Sequence, residues 1–306
     1  MHAIETVALT KRFRKVDAVR ELNLQVAEGS VYALMGPNGA GKTTLIKLLM
    51  NLISPNAGHI SMLGRNAAQL QGEPLESIGY VSENQKMPDW MTIDDFLSYW
   101  RPFYPKWDRE LEQRLVKRFG LPRKGKLKNL SRGMRMKASL TSVLAFHPRL
   151  MVLDEPLSGL DPLVRDDLME ALLALASETT VLFSSHDLAE VDSFASHVGY
   201  MDGGQLLLSE PITSVRERFR RVELTIDENF ERPAKFPNAW LQFATNSTTA
   251  QWVETGFDPE RSTARAHEVF GPVELRDAPL TLREVFLTMA RATRPSRPLD
   301  AIGAAQ

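Results

Sequence analysis

The chain has 306 residues, 43 % of them hydrophobic, so it can bury the core of one large or two ordinary domains and is neither disordered nor fibrous. Its 37 Lys and Arg residues balance 38 Asp and Glu residues, and the net charge of −1 excludes a strongly basic nucleic-acid binder. The absence of Cys excludes disulfides, thiol chemistry and cysteine zinc sites, and it suits a reducing compartment.

The N-terminal region predicts strands, then a glycine-rich loop, then a helix. Apolar segments at Ile4 to Leu9, Leu22 to Val26 and Val31 to Met35 indicate short strands. The loop follows Met35 at once, and helical spacing then runs from Thr43 to Leu52. Because this region has no signal peptide and the chain has no long uncharged apolar run, we expect that it does not cross a membrane by itself.

The middle of the chain predicts a helical insertion followed by alternating strands and helices. Residues from about 89 to 148 have helical spacing, aromatic anchors and no convincing strand. Strands are then predicted at Leu150 to Leu153, Thr180 to Ser184, Val198 to Met201 and Gln205 to Leu208, and helices at Pro162 to Ala176 and from Asp187. Such alternation predicts a mainly parallel sheet covered by helices.

A change of character near residue 220 predicts a second, smaller α+β domain. Strand-like segments at Val222 to Ile226 and Trp240 to Phe243 are separated by Pro, Asn and Thr. Thr281 and Glu284 have capping-box spacing at the start of a helix that runs to about Ala290. The predicted divisions are 1–215, with a helical subdomain at about 89–148, then 221–290, and a mobile tail at 291–306.

The glycine-rich loop fits the pattern of a phosphate-binding loop. Glycines let backbone N–H groups converge on a phosphate at a positive helix end, while a Lys neutralises the β- and γ-phosphates and a Thr hydroxyl ligates Mg²⁺. An ordinary glycine-rich turn before a helix is the alternative. The expected nucleotide-binding residues are Gly36, Pro37, Asn38, Gly39, Ala40, Gly41, Lys42, Thr43 and Thr44, with Lys42 also catalytic and Thr43 also a metal ligand.

Two carboxylates follow the apolar strand that begins at Leu150. A buried strand of an open α/β sheet delivers such groups to the edge where ligands bind. Asp154 suits a Mg²⁺ contact, and Glu155 suits a general base that polarises the attacking water. The alternative is a strand that ends in a solvated turn.

With these two motifs in place, the chain resembles the ATP-binding subunits of ATP-binding cassette (ABC) transporters. Leu130-Ser131-Arg132-Gly133-Met134 resembles the family signature, usually Leu-Ser-Gly-Gly-Gln. The resemblance implies that Ser131 and Gly133 contact the γ-phosphate of ATP held by an opposite subunit. Arg132 and Met134 depart from the pattern.

Four further segments stand in the family's order. The resemblance makes Asp161, in Ser158-Gly159-Leu160-Asp161, a link between two sites across a dimer, and makes His186 a catalytic γ-phosphate sensor. Phe13 occupies the place of an adenine-stacking aromatic, with a core Phe as the alternative. Glu83 stands where the family has a glutamine. Its carboxylate can still bind Mg²⁺ or water, and Gln85 is the alternative for that role.

The resemblance implies the fold class and the function of the chain. The expected fold is α/β, a RecA-like P-loop NTPase core with an N-terminal antiparallel β subdomain, a helical insertion and a small C-terminal α+β domain. The expected function is hydrolysis of ATP with Mg²⁺ by a homodimer or heterodimer of ATPase subunits. This dimer drives a separate integral-membrane permease, with no nucleic acid as partner, at the cytoplasmic face of the bacterial inner membrane.

Tyr104-Pro105-Lys106-Trp107-Asp108 most resembles bacterial ATPases of the ABC-2 export type, which predicts an exporter. The alternative function is that of a soluble ABC ATPase acting on nucleic acid or ribosomes. The chain has neither the long heptad region nor the second phosphate loop typical of that class.

Overall fold

The computed structural model describes residues 1–70, 72, 75–83, 85–175, 179–226 and 236–293. Its internal contacts divide the chain into two units, Met1–Ser209 and Glu210–Gln306. In the described part the longest helix has 14 residues, and no helix there combines the length and apolar character that a bilayer span requires.

The first unit contains two sheets and the helices between their strands. In chain order its elements are β1 (His2–Phe13), β2 (Val16–Ala27), β3 (Val31–Met35), α1 (Lys42–Leu49), β4 (Ala57–Met62), β5 (Arg65–Asn66), β6 (Ile78–Ser82), α2 (Ile93–Trp100), α3 (Arg109–Arg118), α4 (Arg132–Leu144), β7 (Leu150–Asp154), α5 (Pro162–Leu175), β8 (Thr180–Ser185), α6 (Leu188–Phe194), β9 (His197–Asp202) and β10 (Gln205–Pro211), whose last two residues fall in the second unit.

The smaller sheet has the strand order β2-β1-β4-β5, and β1 pairs antiparallel with both β2 and β4. The larger sheet has the order β10-β9-β3-β8-β7-β6, and β3 pairs parallel with β8 and β9, as do β7 with β8 and β6 with β7. The α/β fold class with an antiparallel N-terminal sheet is therefore confirmed.

The central parallel strands are buried along their whole length. Every residue of β3, β7 and β8 is buried, as a parallel sheet covered on both faces requires. Helix α1 contributes Leu45, Ile46, Leu48 and Leu49 to one hydrophobic core that also contains side chains of β1, β2, β3 and β7. The start of α1, and with it the glycine-rich loop, is thus anchored to both sheets.

The segment between β6 and β7 is helical, as predicted. It contains α2, α3 and α4, and its only described β contact is an isolated bridge between Thr92 and Lys126. Thr92 and Asp95 form a capping box at the start of α2. Of the predicted aromatic anchors, Phe96 is buried, whereas Trp90 and Phe103 lie at the surface with 70 % and 55 % exposure.

The second unit is a small α+β fold with an antiparallel sheet in the order β12-β13-β11-β14. An aromatic cluster fills its core, and the stacked rings of Trp240 and Trp252 lie 4.2 Å apart between centroids. Its elements are α7 (Ile212–Arg218), β11 (Arg220–Thr225), β12 (Trp240–Thr245), β13 (Thr249–Glu254), α8 (Pro259–Phe270), β14 (Arg276–Pro279) and α9 (Leu282–Thr293).

The structure refines the predicted divisions of the chain. The contacts place α7 in the second unit, whereas the sequence assigns its first residues to the first domain. The capping box of α9 is confirmed, because the Thr281 N–H donates to Glu284 at 2.9 Å and the Glu284 N–H donates to the Thr281 hydroxyl at 3.3 Å. Helix α9 runs to Thr293, and the remainder of the predicted tail lies outside the described residues.

We expect Trp252→Ala to destabilise the second unit by about 3–5 kcal/mol, because it removes a fully buried ring and leaves a cavity. Chemical denaturation followed by near-ultraviolet circular dichroism measures the change. The control is Trp90→Ala, whose exposed ring leaves the unfolding free energy within about 0.5 kcal/mol. Equal effects of the two substitutions would contradict the aromatic core.

Candidate functional site

The glycine-rich loop between β3 and α1 packs tightly against neighbouring backbone. Gly36 has φ +153°, and a Cβ atom there would lie 2.3 Å from the carbonyl oxygen of Met201. Gly41 has φ +106°, and its Cβ would lie 2.2 Å from the carbonyl oxygen of Ala18. Both positions therefore require glycine for their backbone conformation and for lack of space.

Lys42, the first residue of α1, directs its ammonium group back into the loop. The residue is 5 % exposed, and its Nζ donates to the Gly36 carbonyl at 2.7 Å. The same atom lies 3.5 Å from Glu155 Oε1. A buried cation with carbonyl and carboxylate partners at a helix N-terminus forms a ready site for an anionic ligand.

Asp154, the last residue of β7, is held by two hydroxyl groups. Ser184 donates to its Oδ1 at 2.8 Å, and Thr43 donates to the same oxygen at 3.2 Å. Burial raises the pKa of Asp154 above its ordinary value, while these hydrogen bonds act in the opposite direction. A carboxylate and a hydroxyl at this spacing offer hard oxygen ligands of the kind that Mg²⁺ prefers.

Glu155 is fixed at both its backbone and its side chain. Its N–H donates to the Ser184 hydroxyl at 2.9 Å, and His186 Nδ1 lies 2.7 Å from its Oε2. The backbone is left-handed, with φ +51°, which is uncommon for a residue with a side chain. The carboxylate therefore has one orientation, set by His186, beside the ammonium group of Lys42.

These groups meet at a cavity of about 560 Å³. Of the residues predicted for nucleotide, metal or catalysis, the cavity is lined by Pro37, Asn38, Gly39, Ala40, Gly41, Lys42, Thr43, Thr44, Glu83, Glu155 and His186. Asp154 lies directly behind Thr43 through their hydrogen bond. Gln85, the alternative to Glu83, lines a neighbouring cavity instead.

Five other predicted residues are not among those that line this cavity. Gly36 begins the loop, and its carbonyl accepts from Lys42 Nζ. Phe13 is 48 % exposed, so its ring is not in the core, and its pairing partner across the hairpin is Val16, which lines the cavity. Ser131 is the N-cap of α4. Asp161, the residue directly before α5, accepts a hydrogen bond from the Val164 N–H. Gly133 is buried, and a Cβ there would lie 3.1 Å from a Val164 methyl group.

The sequence did not identify the role of Ser184. Its hydroxyl donates to Asp154 and accepts from the Glu155 N–H, so one side chain orders both acidic residues. Asp17 and Ser158 also line the cavity. The signal for Ser184 is weak, because a serine at the end of an apolar strand is equally consistent with a simple strand end.

The described residues contain no cluster of three or more His, Cys, Asp or Glu side chains that could hold a metal ion by themselves. Thr43 and Asp154 fit a divalent cation whose other ligands come from a bound phosphate or from water, as is usual for Mg²⁺. Glu83 reaches the same cavity, but its carboxylate accepts from Arg132.

The chain is similar in sequence to ATP-binding proteins of ABC transporters. A family model described as ABC transporter matches residues 19–158. The bacitracin transport ATP-binding protein BcrA of Bacillus licheniformis is 32 % identical over 222 residues, which are 71 % of this chain and 72 % of that protein. The ABC transporter ATP-binding protein YtrB of Bacillus subtilis is 24 % identical over 93 % of this chain and 97 % of its own length.

An uncharacterised ABC transporter ATP-binding protein of Synechocystis sp. is 31 % identical over 70 % of this chain, and this chain spans 64 % of its length. Among solved structures, an ATP-binding subunit of an ABC transporter superposes with a TM-score of 0.65 at 24 % identity, over 70 % of this chain and 92 % of that one. The dimeric structure of the ATP-binding cassette MJ0796 bound to ADP and Pi superposes with a TM-score of 0.60 at 22 % identity. The match covers 68 % of this chain and 98 % of that one. The two solved structures share their fold with about 70 % of this chain.

We expect Asp154→Asn to raise the Tm of the ligand-free protein near neutral pH. Burial raises the pKa of the Asp154 carboxyl in the folded state. At a pH above this raised pKa the ionised carboxylate therefore lowers stability, and at a pH below the pKa of the same carboxyl in the unfolded chain it has no effect. The gain therefore shrinks as the pH falls through the raised pKa. Thermal unfolding across a pH series measures it, with the exposed Asp166→Asn as control. A gain that does not depend on pH would contradict the burial argument.

Proposed function

The chain belongs to the ABC transporter family as an ATP-binding subunit. We therefore propose that the cavity lined by Lys42, Thr43 and Glu155 binds and hydrolyses Mg-ATP to drive a separate membrane permease. The observation that carries the proposal is the convergence of Lys42, the Thr43–Asp154 pair and the Glu155–His186 pair at one cavity. These groups supply a cation for phosphate, oxygen ligands for a metal and a base for water.

The loop and Lys42 bind the triphosphate in this proposal. Backbone N–H groups of residues 38–44 face the phosphates at the N-terminus of α1, where the helix dipole favours negative charge. The ammonium group of Lys42 exchanges its Gly36 carbonyl contact for phosphate oxygens. A fixed charge of this kind stabilises the transition state without reorganisation of solvent.

Thr43 and Asp154 hold the metal in this proposal. The bound Mg²⁺ supplies charge neutralisation at the β- and γ-phosphates. Ser184 keeps the Asp154 carboxylate oriented through its 2.8 Å hydrogen bond. The Thr43 hydroxyl, which donates to Asp154, would be the second protein ligand of the metal. The other ligands would come from phosphate and water.

Glu155 is the general base, and His186 positions it. The His186 ring holds Glu155 Oε2 at 2.7 Å, which leaves Oε1, the oxygen nearer to Lys42, to accept a proton from the attacking water. His186 is 54 % exposed through its side chain, so it can also meet the γ-phosphate as the predicted sensor. Phe13, next to the cavity lining, is proposed to stack on the adenine.

Two subunits, identical or different, are proposed to close around two Mg-ATP. Ser131, Gly133 and Asp161 are not among the described residues that line the cavity of their own chain, which supports a role for them at the partner's nucleotide. The relative named as a bacitracin transport ATP-binding protein supports a role in transport. Coupling to a separate permease at the inner membrane is part of our proposal. We propose export as the direction. The name of this relative does not favour a role on nucleic acid or ribosomes.

The test of the proposed function is Mg²⁺-dependent ATP hydrolysis that is lost in Lys42→Ala. The substitution removes the fixed counter-charge of the triphosphate, and we expect at least a roughly 100-fold loss in kcat/KM. Phosphate release by the purified protein measures the rate. Lys47→Ala, an exposed position on the same helix, is the matched control and retains the rate. Equal rates in the wild type and Lys42→Ala would refute the assignment of the site.

We expect Glu155→Gln to lower hydrolysis by about 100- to 10,000-fold while ATP stays bound, because an amide keeps the shape but does not accept the proton. The variant should therefore form an ATP-dependent dimer, which sedimentation or light scattering detects. Adding Ser131→Arg should abolish the dimer by a steric clash across the interface. A monomer under saturating Mg-ATP, even with the membrane subunits present, would overturn the two-site dimer.

A further inference from the structure

The two departures from the family pattern that flank the cavity contact each other. Glu83 follows β6, Arg132 is the first residue of α4, and the guanidinium group of Arg132 donates to Glu83 Oε1. We propose that Arg132 is a positioning residue that acts within its own chain. By pairing with Glu83 it neutralises a carboxylate at the rim of the cavity and so allows Mg-ATP to bind there; the inference rests on the proposed function of that cavity.

The charge balance of the cavity explains why Glu83 needs a partner. The described residues that line the cavity include three carboxylates, those of Asp17, Glu83 and Glu155, and one lysine, Lys42. Asp17 is paired with Arg12, and Glu155 lies beside Lys42 and His186. An unpaired Glu83 would repel a triphosphate bound in the same cavity. Arg132 provides the charge that removes this repulsion.

The start of α4 explains why Arg132 in turn needs an anion. Ser131 caps the helix by accepting from the Met134 N–H at 3.2 Å, and the first turn contains no acidic residue. A cation at a helix N-terminus opposes the helix dipole. The Glu83 carboxylate, brought from the end of β6, supplies the missing negative charge. The pair therefore satisfies an electrostatic need of each partner.

A third segment holds the guanidinium group in place. A Cβ atom on Gly159 would lie 2.8 Å from Arg132 Nη1, so the group lies directly against the turn between β7 and α5. Gly159 has φ +66°, a conformation that favours glycine. Arg132 is thus placed between Glu83 and Gly159, and its side chain is 47 % exposed, so salt in solution can reach the ion pair.

The position of Arg132 in the signature segment offers a competing role, direct contact with the partner's ATP. The two roles differ in one measurable respect. If Arg132 acts through Glu83, its removal has no effect once Glu83 is already neutral. If Arg132 acts on the partner's nucleotide, its removal has the same effect whether or not Glu83 carries a charge. A double-mutant cycle separates these cases.

The experiment compares the wild type, Arg132→Ala, Glu83→Gln and the double variant by KM and kcat for Mg-ATP and by binding of a fluorescent Mg-ATP analogue. We expect Arg132→Ala to raise KM and the analogue's Kd about 3- to 10-fold, with kcat within about 3-fold. In the Glu83→Gln background, Arg132→Ala should change KM and the analogue's Kd less than about 2-fold. Arg132→Lys, which keeps the charge, should restore most of the affinity, and added KCl should shrink the effect of Arg132→Ala.

Arg135→Ala, which removes a partly exposed cation from the first turn of the same helix, is the matched control and leaves KM unchanged. Thermal unfolding verifies that each variant is folded. An equal rise of KM in both backgrounds, or no rise in either, would overturn the inference. Absence of hydrolysis by the wild type would instead overturn the proposed function, and the binding cycle with the analogue would still decide the role of Arg132.

Discussion

Parallel pairing of four neighbouring strands decides where most of the polar groups around Lys42 lie. Asp154 at the end of β7 pairs in register with Ser82 of β6 and Ser184 of β8, and Met35 of β3 pairs with Ser185. The residues that follow these strands, far apart in sequence, therefore meet at one edge of the sheet. A slip of one residue in any of these pairs would turn its side chains to the opposite face.

The parts of this site that are local in sequence could be predicted from it. The loop before α1 has a fixed spacing of glycines and a lysine, and the two acids directly follow an apolar strand, so both carry their own signal. The double role of Ser184 could not be predicted, because it arises only when β8 is placed beside β7. The burial of Gly133 against Val164 likewise depends on the packing of α4 on α5.

The second unit shows where sequence patterns carry less information. Strand β13 and helix α8 were not predicted, since β13 contains polar residues on both faces and the buried residues of α8 are only Ser262 and Ala266. The apolar residues of β13 do not alternate clearly, and the buried positions of α8 hold a serine and an alanine instead of large apolar side chains. The unit is held together instead by a few large rings around Trp240 and Trp252, and by the buried Glu254, which pairs with Arg265 at 3.0 Å and accepts from Ser262.

The contact between Glu83 and Arg132 also bears on how this protein changes over generations. Either residue replaced alone leaves a single charge without its partner, one at the rim of the cavity and the other at the start of α4. If Arg132 acts through Glu83, its loss weakens nucleotide binding only while Glu83 keeps its charge. A lineage that moves from this pair to the Gln and Gly of the usual pattern is therefore expected to replace Glu83 before Arg132. The two positions, 49 residues apart, are thus expected to covary.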